Sequence, residues 1–75
     1  MTSEHLVHSR DFIVFVVTDE VSYGVRDSKT RQIVVHGVNC IIHNEQYICF
    51  KHFDDTVGFF DSTRVIGYVE YKKED

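Results

Sequence analysis

Residues 12–18, Phe-Ile-Val-Phe-Val-Val-Thr (FIVFVVT), decide the fold. The run holds no polar residue before its last position, so it reads as a strand buried on both faces rather than an alternating one. Its side chains are aromatic or branched at Cβ. Branching restricts rotamers against a helical turn but suits a pleated surface.

The rest of the chain repeats this choice. Twelve Val and six Ile stand against one Leu and no Ala, so the best helix formers are almost missing. Ten aromatics, among them Phe50, Phe59, Phe60, Tyr47 and Tyr68, push the same way. The composition specifies an all-β domain with no substantial helix.

A chain of 75 residues makes one domain with one small core, and at this length folding buries roughly 60–65% of the surface the unfolded chain exposes. With 43% apolar and 27% charged residues it lies well away from the disordered class. The net charge of −4 supplies no bulk field for a polyanion, which disfavours nucleic acid and anionic membranes as partners. The longest apolar run, residues 12–17, is too short to span a bilayer, and no secretory leader is evident, so a cytoplasmic protein is expected. In that compartment Cys40 and Cys49 are expected as free thiols.

Turn signals divide the chain into an N-terminal arm (residues 1–10), a β-domain (11–71) and a charged tail (72–75, KKED). Asp19-Glu20 reads as a tight turn that pairs Val17 with Ser22, Val16 with Tyr23 and Phe15 with Gly24, the ring of Phe15 lying across the glycine. Residues 27–31 (DSKTR) read as a polar turn, and a third strand starts near Gln32, with a bend at Gly37. A second hairpin centred on Asn44-Glu45 pairs Ile42 with Tyr47, Ile41 with Ile48 and Cys40 with Cys49. Asp54 and Asp55 turn the chain into TVGFF, where Phe59 faces Phe50, and residues 64–71 form the last strand. The sum is five or six short, hairpin-connected strands, the pattern of a small antiparallel barrel or sandwich.

The segment GFFDSTRVIGYVEY, residues 58–71, resembles the end of an SH3-like barrel: glycine and an aromatic close one strand, a single helical turn follows, and a Val-rich strand returns. The aromatic ligand loop and paired tryptophans of peptide-binding SH3 domains are absent, so the resemblance implies a fold and no ligand. An OB-like barrel or an open sandwich also fits the strand pattern.

Cys40-x-x-His43 and Cys49-x-x-His52 offer four zinc-ligand types in a short span. Tetrahedral zinc needs all four to converge, commonly through knuckle turns. Residues i and i+3 on a strand point to opposite faces, so Cys40 and Cys49 share one face and His43 and His52 the other; no metal or other cofactor is expected, and a small structural zinc-binding β-domain is the third reading of the chain. The same register sets Cys40 opposite Cys49, where a cross-strand disulfide is geometrically conceivable.

For nucleophilic catalysis the sequence offers only Cys49 and scattered histidines, and Asp54-Asp55 and Asp19-Glu20 read as turn formers, so no enzyme is expected. Arg26, Lys29 and Arg31, with Phe15 or Tyr47 for stacking, make an alternative single-stranded nucleic-acid site. The stronger signal is surplus apolar surface. Two strands are apolar on both sides, only one side can line the core, and no amphipathic helix is available to cover the other. The expectation is a non-catalytic interaction module. It would self-associate or dock on a larger protein, as a regulator or inhibitor, through Ile13, Phe15, Val17, Ile42 and Tyr47.

Overall fold

A computed structural model describes residues 2–72, all of them in strands or the turns between them. Five strands run β1 (Thr2–Ser22), β2 (Val25–His43), β3 (Tyr47–His52), β4 (Asp55–Asp61) and β5 (Val65–Tyr71). They form one antiparallel sheet in the order β4-β3-β2-β1-β5. The all-β reading holds. The last three residues of the expected tail lie outside the described residues.

The first hairpin is longer than its turn signals imply. The chain reverses at Tyr23-Gly24, where φ is 54° and 76°, and Asp19 pairs with Ser28 inside the ribbon. The two-residue reversals that match strand twist need positive φ at one or both central positions, here both, and glycine supplies it without strain. Asp19-Glu20 carries no such residue. The expected turn there is therefore replaced by continuous strand, as is the turn expected at residues 27–31. Phe15 pairs with Gln32 and Gly67, and Gly24 sits at the ribbon tip with nothing within 4 Å of the place a Cβ would occupy.

Residues 2–10, expected as an arm, belong to β1: Thr2 pairs with His43 and His5 with Cys40. Between His5 and Arg10 the first strand carries extra residues, and between Arg10 and Phe12 the second strand does. The second irregularity is at Gly37, whose φ of 69° is left-handed. Its N–H donates to Asp11 Oδ1 (3.0 Å), and its carbonyl accepts from His52 Nδ1 (2.8 Å), so the bulge is tied to both neighbouring strands.

The second hairpin also slips from its expected register. Asn44 Oδ1 accepts from the N–H groups of Gln46 (2.8 Å) and Tyr47 (2.9 Å), a side-chain-stabilised turn that widens the connection. The pairs become Ile42 with Cys49, Ile41 with Phe50 and Cys40 with Lys51. This shift of two preserves which side chains share a face. An irregularity between Phe50 and Lys51 then sets Gly58 opposite Phe50 and Phe59 opposite Cys49, so Phe60, not Phe59, joins the core.

One side of β1 and β2 supplies Phe12, Val14, Val16, Val35, Val38 and Ile41 to the core, where they meet Ile48 and Phe50 of β3. The sheet curls to close over them. Phe50 and Tyr68 lie on strands separated by two others, yet their rings are 5.4 Å apart, and Phe12 sits 5.9 Å from one and 6.2 Å from the other. Gly58 of β4 likewise meets Val35 across β3: a Cβ there would lie 3.2 Å from both Val35 methyls. The edges β4 and β5 do not pair with each other among the described residues, so the expected barrel is an open, curled sheet. A turn closed by the Arg64 N–H to the Asp61 carbonyl (3.0 Å) carries the chain from one edge to the other. Within it, hydrogen bonds from the Thr63 hydroxyl and N–H hold the Asp61 carboxyl below its ordinary range.

Candidate functional site

The outer face of the sheet carries the surplus apolar residues, in two patches rather than one. Ile13, Phe15 and Val17 alternate with the buried Phe12, Val14 and Val16 and point away from the core, each half-buried. Ile13 is flanked by Val34 on β2 and Val69 on β5, which are 42% and 52% exposed. Ile42 and Tyr47 lie on the same face of the other wing, with Cys49 and Phe59, and the rings of Tyr47 and Phe59 stack at 5.1 Å. Val34 and Ile42 are eight residues apart on β2, roughly 26 Å of extended chain, with the Gly37 bulge between them. The five residues expected to form one surface are thus divided.

The Cys/His set is divided as well. Cys40 and Cys49 point to the outer face and are free thiols. His43 points inward, its ring 6.5 Å from Tyr68, and His52 Nδ1 is committed to the Gly37 carbonyl. Cys40 faces Lys51 rather than Cys49, which removes the expected opposition of the two thiols. Among the described residues, no three or more of His, Cys, Asp and Glu group to hold a metal.

Of the basic cluster, Lys29 and Arg31 are exposed along β2, and Arg31 pairs with the inward-facing Val16. Arg26 pairs through its backbone with Val21, and its side chain lies outside the described residues. Phe15 is on the face opposite Lys29 and Arg31, so the register does not join these two cations to it.

One arrangement has no counterpart in the sequence pattern. Ser3 and His5 of β1, Cys40 and Ile42 of β2, and Lys51 of β3 line an open cleft of about 480 Å³ on the outer face, with Phe53 and Asp54 at the following turn. Phe53 is held there, at a φ of 54°, by its N–H donating to Asn39 Oδ1 (2.7 Å). The polar stretch MTSEHLVHSR carries no strand period to show that it pairs with β2, so nothing in it sets His5 beside Cys40.

No helix among the described residues is long and apolar enough to cross a membrane. Comparison with known proteins finds no matching family model, no matching curated protein and no matching solved structure.

Proposed function

We propose that this chain is a small, non-catalytic interaction module that associates with a second copy of itself through the outer face of its β5-β1-β2 wing. The observation that carries the reading is the row Val34, Ile13, Val69 across three adjacent strands, extended along β1 by Phe15 and Val17 and covered by no other element of the described chain. β5 is also a sheet edge, whose unpaired N–H and C=O groups offer a template for another strand. An apolar strip beside an open edge lets one partner gain both hydrophobic burial and main-chain hydrogen bonds.

The same surface could dock on a larger protein whose activity the module regulates. A fold of the SH3-like type is supported by the return of β5 to the side of β1 after the single turn at residues 62–64. The free thiols fit a reducing, cytoplasmic setting. The nucleic-acid alternative has less support, because Lys29 and Arg31 lie on the face opposite Phe15.

Sedimentation equilibrium tests the proposal. The wild-type chain is expected to show a mass that rises with concentration, while Val69→Lys, placing a charge on the exposed edge strand, stays at the monomer mass with an unchanged fold. A wild-type chain that remains monomeric at high micromolar concentration and binds no hydrophobic dye overturns self-association.

A further inference from the structure

His5, Cys40 and Lys51 are directly paired across three adjacent strands: His5 with Cys40, and Cys40 with Lys51. Directly opposed residues project from the same face with Cβ atoms roughly 4.5–5.5 Å apart, so the three side chains leave the sheet side by side with Cys40 in the middle. All three line the same open cleft. Cys40 is half-buried and reachable from it. Cys49, two positions from Lys51 on the same face, is buried, with its sulfur 3.9 Å from Thr56 Oγ1.

The two flanking side chains differ in their commitments. His5 Nε2 makes a long contact of 3.5 Å with Ser3 Oγ, whereas the side chain of Lys51, a half-buried residue, has neither hydrogen bond nor ion pair to another described residue. An ammonium group lining a cleft without a carboxylate partner favours an anion as occupant. Asp54 is the one carboxylate of the lining, and it belongs to the turn that follows β3.

We propose that this cleft is a covalent modification site, in which Cys40 forms a mixed disulfide with a small disulfide bearing carboxylates. Lys51 pairs with a carboxylate of the incoming molecule and holds its sulfur–sulfur bond against Cys40 Sγ. His5 accepts the thiol proton. The Cys40 sulfur attacks the nearer sulfur of the small disulfide, a new sulfur–sulfur bond forms, and the old one breaks. The leaving thiolate departs with the electron pair and takes up the proton from His5, so one protein thiol and one disulfide become one mixed disulfide and one free thiol. This site is on the opposite wing from the proposed self-association surface and does not depend on it.

The test uses the full chain and three small disulfides: oxidised glutathione (anionic), hydroxyethyl disulfide (neutral) and cystamine (cationic), with adducts located by peptide mass spectrometry. Adducts are expected on Cys40 and not on Cys49. Relative to the urea-unfolded chain, the folded chain is expected to favour the anionic over the neutral reagent by about fivefold and to disfavour the cationic one, the rate counterpart of one exposed charge pair at contact distance. Lys51→Gln, which removes the charge and keeps a polar side chain at a half-exposed position, is expected to abolish that preference while leaving the melting temperature in place. Equal reactivity of Cys40 and Cys49, a charge preference no larger than in the unfolded chain, or a preference that survives in Lys51→Gln each overturns the proposal.

Discussion

Tyr68 shows how one side chain links the two ends of the curled sheet. Its ring packs edge-on against Phe12 and Phe50, while its hydroxyl is raised above the ordinary value of 10.0 by burial first and by the Glu4 carboxylate second. The folded chain therefore holds this proton more tightly than the unfolded chain does. The sign follows from linkage: the contribution is fully present below the unfolded value and is lost as pH rises from there through the folded value. Urea midpoints compared at about pH 9 and about pH 11 should fall more steeply for the wild type than for Tyr68→Phe, which keeps the ring and removes the titrating group. Equal slopes for the two chains would sink this account of the hydroxyl.

At the scale of elements, strand composition is legible in the sequence, and strand extent and register are not. The Val- and Ile-rich composition suffices for all-β, and strict alternation puts the cysteines and histidines of residues 40–52 on opposite faces, as the register has them. Turns escape this reading because each is settled by local backbone chemistry that hydrophobic pattern does not report. Gly24 reads as a gap under a ring, yet its positive φ makes the reversal, and Asn44 widens a connection through its side chain. The irregularity beside Phe50 exchanges Phe59 for Phe60, since an odd slip moves a side chain to the other face. The cleft is invisible for a related reason: it needs polar residues 2–5 to act as strand, which only their pairing with β2 shows.

The reversal itself can be improved. Tyr23 adopts a φ of 54° with its side chain fully exposed, so it bears left-handed strain with no packing in return. Tyr23→Asn, giving the Asn-Gly pair favoured in such turns, should stabilise the chain by roughly 0.5–1 kcal/mol, read as a higher urea midpoint at unchanged slope. A midpoint that falls would show that the ring contributes something the folded chain alone does not display.

Considered whole, the molecule is a single sheet that uses curvature in place of a second layer. Principal extents of 47 × 34 × 17 Å describe a thin body with the β1–β2 ribbon reaching beyond the β5-covered part of the sheet. Curling lets the inner faces of β3 and β5 meet over Phe12, but it leaves the convex side without cover and both edges unpaired among the described residues. Both functional proposals arise from that side: an apolar strip on one wing and a thiol cleft on the other.

The placement of β5 beside β1, antiparallel, has a mechanical consequence. Tyr71 pairs with Asp11, at the end of the β1–β5 ladder that faces Thr2, so a pull applied between Thr2 and Tyr71 acts across the ladder rather than along it. Backbone bonds loaded in this way break pair by pair, as a zipper opens, and never share the load as they do in shear. In single-molecule extension the sheet should yield at low force when held at residues 2 and 71 and at distinctly higher force when held at residues 16 and 71, which loads the same ladder lengthwise. A domain so arranged can be drawn out as a compliant thread, and a partner strand added along the free edge of β5 would leave the β1–β5 zipper itself unreinforced.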